Sequence, residues 1–298
     1  MTAVRTVAAT VLGTQQLSAH LVTVTLVTDD LATTGVPDEY VRLMIPPVGA
    51  ELALPEIEEE TWTFTWPEGA VEPAARVYTI SDHRVVEGRV HLDIDIALHE
   101  VGIGSDWVRR VQPGDQVGII EPRGLYKAPP EVPWQLLVAD ITGLPALARI
   151  LRGLQPDQRV EAVVVVTDPA DRIPLPSPAD VSVEWRVVER DTDICGALED
   201  AVRSRGLPTD PAGRYVWLAG EARASRGVRR HLRRELGWTQ ADFYTCGYWQ
   251  IDAEKWNARY EKVADQVIAE ARAAQQKAGE DEGAYLDALE DIYENAGL

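Results

Sequence analysis

Two cysteines, Cys195 and Cys246, are all that 298 residues contain. That is too few for a disulfide framework or a thiolate metal cage, and both read as small apolar fillers, one in a helix and one in a strand. Nowhere does an apolar run reach the length that a bilayer demands. The opening residues, MTAVRTVAATVLGTQQ, lack the continuous apolar core and cleavage site of a signal peptide. A cytoplasmic protein with no membrane contact is the expectation. Positive charge is scarce as well: 29 Lys and Arg against 48 Asp and Glu give a formal net charge of −19. Such a surface repels nucleic-acid phosphates and anionic lipid over most of its area, so neither is an expected partner. Internal repeats and low-complexity tracts are missing. What remains, at 45% apolar residues, is a globular chain long enough for two domains.

The first part is made of strand patterns. TVAATVLG, HLVTVTLVT, YVRLMIPP, RVYTISDH, RVHLDIDIALH and QVGIIEPRG are strand-like runs bounded by turn residues, the last introduced by Pro113-Gly114-Asp115. One helical segment, SDWVRRV, interrupts them, with Ser105 as its expected N-cap. Six strands predict a closed antiparallel β-barrel, because closure removes unpaired edges. The acidic stretch 51–66 is expected as a surface excursion between barrel strands.

Beyond Pro129, Pro130 and Pro133 the pattern changes. WQLLVAD, VEAVVVVTD, VSVEWRVV, RYVWLAGEA and DFYTCGYWQ are apolar strand runs alternating with the helices TGLPALARILRGL, DICGALEDAVRSRG and SRGVRRHLRRELG. That alternation predicts an α/β domain with a parallel sheet covered on both faces, its ligands at the carboxyl ends of the strands. From Asp252 the chain is helical and acidic, with Trp256, Tyr260, Val263, Val267 and Ala271 in one stripe. After Gly279 a second short helix, AYLDALEDIY, follows. This tail is expected to pack along the body, with a dimerisation element or an active-site lid as alternatives. The expected boundaries are 1–128, 129–251 and 252–298.

The string RVYTIS (76–81) carries unusual chemistry for a strand. Arg76, Tyr78 and Ile80 share one face, Val77 and Thr79 the other. A phenol stacks on a flat heterocycle, a threonine hydroxyl bonds a ring nitrogen, and an arginine holds phosphate; an exposed strand explains the string equally well. In the next strand Leu92, Ile94, Ile96 and Leu98 alternate with His91, Asp93, Asp95, Ala97 and His99. His91 and His99 lie on the order of 26 Å apart along an extended chain, so they cannot share one ion and no metal centre is expected. Gly102, Gly104 and Ser105 then precede the short helix, where a backbone approaches a ligand closely and free N–H groups face phosphate.

Arg-x-Tyr-Thr, a strand ending in His, Gly-x-x-Ser-x-Trp and Pro-Gly-Asp, in that order, resemble the siderophore-interacting proteins. These are FAD-dependent ferric-siderophore reductases of the ferredoxin-reductase superfamily. DITGLPA (140–146), VWLAGEA (216–222), Arg229-Arg230-His231-Leu232 and Gly247-Tyr248-Trp249 continue the resemblance, which covers residues 5–252. It implies an FAD-binding barrel followed by an NAD(P)H-binding domain, electrons passing from NADPH or NADH through FAD to the iron of a chelate, and no catalytic side chain beyond the flavin. It also implies FAD contacts from Arg76, Val77, Tyr78 and Thr79, with Tyr78 against the ring system and Thr79 near its reactive nitrogen. Asp95, Ile96, Ala97, Leu98 and His99, with Gly104, Ser105 and Trp107, would line the rest of the FAD. Asp140, Thr142, Gly143, Leu144, Pro145, Gly220, Glu221, Ala222 and Arg223 would meet NAD(P)H. Trp249 would lie near the flavin or nicotinamide, and Lys255 and Arg259 on the substrate side.

Two positions depart from the family pattern: Ser81 stands where an arginine is usual, and Ile141-Thr142-Gly143 where Glu-Thr-Ala is usual. The absence of a GxGxxG fingerprint is no objection, because the resemblance is to a different dinucleotide-binding class. The expected substrate is a ferric siderophore, most easily a neutral or cationic hydroxamate given the acidic surface. A ferredoxin is an alternative donor. A general flavin reductase with another acceptor, or a flavin-binding protein without turnover, are the competing readings. Finally, the basic run Arg223–Arg234 is expected as a solvated helix face, with Arg223 and Arg226 available to a 2′-phosphate.

Overall fold

The computed structural model describes residues 5–58, 63–100 and 102–298. Strands β1 (Thr6–Gln16), β2 (Leu21–Thr28) and β3 (Tyr40–Ile45) are followed by a two-stranded excursion, β4 (Glu56–Glu58) with β5 (Thr63–Thr65). The expected surface excursion therefore carries a pair of antiparallel strands; residues 59–62 of it lie outside the described residues. Strands β6 (Ala74–Val86) and β7 (Arg89–Ala97), helix α1 (Ile103–Val108) and strand β8 (Gln116–Arg123) complete the first unit. The order β1-β2-β7-β6-β3-β8 closes on itself, an antiparallel six-stranded barrel. Period-two alternation fills it: Val24, Leu26, Leu43, Ile80, Leu92, Ile94, Ile96 and Ile119 form one interior cluster. Trp107 of α1 joins that cluster at 4% exposure and plugs the barrel, a burial that contributes about 2–3 kcal/mol.

The second unit runs β9 (Trp134–Asp140), α2 (Leu144–Arg152), β10 (Arg159–Val166), β11 (Asp180–Val187), α3 (Asp191–Arg203), β12 (Arg214–Glu221), α4 (Ala222–Arg230) and β13 (Phe243–Trp249). All five strands are parallel, in the order β11-β10-β9-β12-β13. Their unbroken apolar runs are explained by burial on both faces. Val160, Ala162 and Val164 pack with α2, while Val163 and Val165 pack with α3 and α4.

The seam between the units is built of buried polar contacts. Arg149 of α2 donates to the Ile80 carbonyl at 2.7 Å and to Glu39 Oε1 at 2.6 Å, and Arg152 donates to the Ser81 carbonyl. Buried Asp38 accepts from the backbone N–H groups of Leu125 and Tyr126 and from Trp217 Nε1. Two of these bonds, from Arg149 and Arg152 to the Ile80 and Ser81 carbonyls, fix β6 against α2, and the bonds of Glu39 and Asp38 tie the approach to β3 to the second unit.

Helices α5 (Ala253–Ala278) and α6 (Glu282–Asn295) form a hairpin, with Trp256 stacked on Tyr260 and edge-on to Tyr293. The basic run is not a solvated face. Arg229 and Arg233 both bind Asp287, Arg230 binds Glu290 and Glu294, and Arg234 binds Asp291. The acidic tail and the basic helix are complementary halves of one contact. No helix among the described residues is long and apolar enough to cross a membrane.

Two local expectations need correction. Helix α1 is capped by Gly102, and Ser105 lies inside it, because the Ser105 hydroxyl is occupied in accepting the His99 N–H at 2.9 Å. Strand β7 stops at Ala97, two residues before His99, where that same bond takes the backbone out of the ladder.

Candidate functional site

The barrel contributes the middle of β6. Tyr78 is half-buried and Thr79 is buried, whereas Arg76 and Val77 are exposed. The Tyr78 hydroxyl lies over Gly104: a Cβ there would sit 1.8 Å from it. Gly104 is thus the hole that admits the phenol, a tertiary reason for a glycine that the sequence suggested as a close approach to ligand. Burial pushes the Tyr78 phenol pKa up, against the opposing charge of Arg76, so the ring stays neutral. Thr79 Oγ1 is buried beside the Tyr248 phenol and completes no hydrogen bond of good geometry among the described residues. A buried hydroxyl without a partner is costly by about 1–3 kcal/mol, and such an atom on a seam between two units asks for a ligand. Among the described residues the Arg76 guanidinium bonds only the carbonyl of its neighbour Ala75, and Arg76 is exposed. A flat heterocycle with hydrogen-bonding ring nitrogens and a phosphate fits this set.

Ile96 and Trp107 point into the barrel core and Ser105 holds the His99 backbone, so the side chains of these three have other employment. Asp95 faces outward on the seam, accepting from Thr23 Oγ1 at 2.7 Å; burial raises its pKa, and Thr23 and Ser81 hydroxyls offset part of that. Ala97 packs against the cluster that includes Leu144 and Leu147. Leu98 is half-buried and His99 exposed, its imidazole 6.1 Å from the Trp249 ring.

At the sheet's carboxyl edge the carboxylate of Asp140 is fully buried. Its Oδ1 accepts from Thr142 N, Thr142 Oγ1 and Gly143 N, and its Oδ2 accepts from Trp249 Nε1 at 2.7 Å. Desolvation raises its pKa, and those donors counter the rise. Leu144 and Pro145 are buried at the start of α2, beside Gly143, where a Cβ would meet the Ala219 carbonyl at 2.3 Å. Glu221 is equally buried and caps α4, accepting from Arg223 N at 2.7 Å and Ala224 N at 3.1 Å. Gly220 lies against Asp140, Ala222 is half-buried and Arg223 is exposed. Asp140 and Glu221 therefore shape the strand-end crevice rather than project into it.

Trp249 arrives at this edge through a bulge. Gly220 pairs with Gly247 but Glu221 with Trp249, so Tyr248 is an extra residue. Bulges re-aim side chains, and here two consecutive aromatics diverge. Trp249 reaches Asp140 and His99, while Tyr248 lies among Asp38, Cys246, Thr79 and Tyr40, its phenol pKa raised by burial. Tyr248 entered the sequence reasoning only within Gly247-Tyr248-Trp249, with no role of its own, and Tyr40 was not singled out. The signal for Tyr248 was the aromatic pair at the end of the last strand; Tyr40 carried none. Lys255 and Arg259 sit on the exposed side of α5, the Lys255 ammonium held by Asp252 at 3.1 Å. No bond among the described residues joins either to Trp249.

Comparison with known proteins agrees with this geometry. Residues 10–126 match the family model for the siderophore-interacting FAD-binding domain, and residues 132–252 that for siderophore-interacting protein. The chain is 30% identical to the NADPH-dependent ferric-chelate reductase of Escherichia coli strain K12 over 66% of this chain and 74% of that protein. It is 25% identical to the ferric vibriobactin reductase ViuB of Vibrio cholerae over 78% of this chain and 85% of that one. Among solved structures, the siderophore-interacting protein SipS from Aeromonas hydrophila superposes with a TM-score of 0.63 at 27% identity, covering 84% of this chain and all of that one. A closed antiparallel barrel joined to a five-stranded parallel sheet, with matching domains in the same order, makes this chain a member of the siderophore-interacting protein family.

Proposed function

We propose that this protein is an FAD-dependent reductase that uses NADPH or NADH to reduce the ferric ion of a siderophore in the cytoplasm. The observation that carries the reading is the buried Thr79 hydroxyl, which completes no hydrogen bond of good geometry among the described residues, next to the half-buried Tyr78 phenol on the barrel strand packed against α2. Flavin, when bound, takes two electrons from a reduced nicotinamide and releases them one at a time, as iron requires. The chain's own contribution is binding and alignment. Thr79 Oγ1 donates to or accepts from the ring system, Tyr78 offers its face, and Arg76 takes the diphosphate. Thr142, Gly143, Pro145, Gly220 and Ala222 receive the nucleotide, and the exposed Arg223 is the cation for a 2′-phosphate. Trp249 closes the crevice against water. Reduced iron is a softer and less charged cation for hard oxygen ligands, so the chelate loosens.

A neutral or cationic chelate of the hydroxamate class suits a chain of net charge −19. The test is stopped-flow mixing of the FAD-loaded protein with NADPH and with NADH, then with ferric chelates. Flavin bleaching followed by chelate-accelerated reoxidation is expected. Failure to take up FAD overturns the reading; bleaching by neither nucleotide but by reduced ferredoxin moves the donor; bleaching without chelate acceleration favours a general flavin reductase.

A further inference from the structure

Asp140 and Glu221 end adjacent parallel strands and are used in the same way. Each spends one oxygen on the start of its own helix and the other on the end of β13 or the residues just beyond it. Asp140 Oδ1 holds the Thr142–Gly143 turn at 2.6–3.4 Å, and Oδ2 holds the Trp249 indole N–H at 2.7 Å. Glu221 Oε2 caps α4, and Oε1 accepts from Ile251 N at 3.2 Å. Both carboxylates are fully buried, so neither reaches a nucleotide. A Cβ on Gly220 would lie 2.5 Å from Asp140 Oδ2, which shows how tightly that oxygen is wedged in place.

We infer that Asp140 is a positioning residue rather than a nucleotide ligand: it couples the seating of the nucleotide on the Thr142–Pro145 loop to the angle at which Trp249 lies beside His99. This rests on the flavin-reductase reading of the same crevice. The chemistry makes the coupling strict. Only a carboxylate can accept on both sides at once. An asparagine must either keep the loop and confront the indole N–H with its own N–H, or turn over and release the loop.

The test uses ¹⁵N-labelled full-length protein, with and without FAD. The Trp249 indole resonance, one of nine, is identified by its loss in W249F. Asp140→Asn is expected to shift that resonance towards a free indole and leave the others. NADP⁺ is expected to move it in the wild type but not in D140N. In the FAD-loaded enzyme D140N raises KM for NADPH more than it lowers kcat. D140N and W249F are expected to be non-additive, with a coupling on the order of tenfold. An unmoved Trp249 resonance in D140N, or strictly additive effects, overturns the coupling. W249F leaves Asp140's loop bonds intact and carries the kinetic arm if D140N does not fold: a change in kcat with KM for NADPH unmoved then refutes the proposal. If NADP⁺ leaves the resonance still in a protein that is yellow and bleached by NADPH, the coupling fails while the flavin reading stands. A protein that takes up no flavin, whatever the resonance does, defeats the functional reading instead.

Discussion

At the scale of single residues, the site is a set of atoms whose needs are met only in part by the protein. Thr79 Oγ1 is the sharpest case. Thr79→Val removes a buried hydroxyl that lies by the Tyr248 phenol without completing a good hydrogen bond, at almost constant shape, which is close to neutral or stabilising for a protein without ligand. Melting of flavin-free T79V is therefore expected at or above the wild-type temperature. The added stability on saturating with FAD shrinks, reflecting roughly a tenfold weaker complex for one lost hydrogen bond. An equal loss in both states would make the hydroxyl merely structural. Gly104 gives a second prediction. A methyl there lies 1.8 Å from Tyr78 Oη and 3.1 Å from its Cζ, so Gly104→Ala swings the phenol aside and FAD uptake falls. Adding Tyr78→Phe removes the colliding oxygen and restores uptake in part, as measured by titrating flavin fluorescence. The alternation in RVYTIS was enough to separate Thr79 from Tyr78 in advance. The reason for Gly104 was not readable, since it depends on a ring brought over from β6.

The secondary-structure elements show the same division. Strand periodicity carried the barrel and the parallel sheet, because side-chain period and burial on one or two faces are local properties of a sequence. The bulge at Tyr248 was invisible: it is a property of pairing between β12 and β13, and a one-residue register shift leaves no trace in composition. The basic run of α4 was legible as charge but not as contact, since its acidic partners lie more than fifty residues on. That contact joins α6 to the body mainly through long side chains, and it should behave electrostatically. Asp287 is held below the ordinary carboxylate range: burial works against this, but the bonds and charges of Arg233 and Arg229 outweigh it. A depressed folded-state value means its charge stabilises the docked helix above the ordinary carboxylate range, and that stability is lost as pH falls through the depressed value. Asp38, Asp95 and Asp140 run the other way, burial having raised each: as pH falls through their raised values towards the ordinary carboxylate range they add stability to the folded body. Protection against hydrogen exchange in α5 and α6, corrected for the intrinsic rate at each pH, is thus expected to fall with acid before protection in the barrel does. Asp287→Ala, which takes the carboxylate from the buried Arg229 guanidinium and leaves it Gln240 and the Gly283 carbonyl, is expected to cost about 2 kcal/mol and produce the same release at neutral pH. Simultaneous opening of body and hairpin would show that α6 is not a separate latch.

For the whole molecule, the dominant quantity is a net charge of −19 at a sequence pI near 4.7. The arginines that locally offset it are largely consumed inside the fold, four of them by α6 and two by the barrel seam. An approaching chelate therefore meets a negative field well before it meets the crevice. The range of that field is set by salt: the Debye length shrinks from about 30 Å at 0.01 M to about 8 Å at physiological ionic strength. The sign of the salt effect then reports the sign of the substrate. With the enzyme reduced beforehand by NADPH, the second-order rate constant for an anionic ferric chelate is expected to rise several-fold across that range, as repulsion is screened. For a cationic ferric hydroxamate it falls, and for a neutral one it stays level. Comparing the three by stopped-flow at fixed pH separates long-range steering from contacts in the crevice, which salt changes far less. An anionic chelate whose rate falls with added salt would require a concentrated positive patch at the mouth of the site, and the preference for neutral or cationic substrates would be wrong.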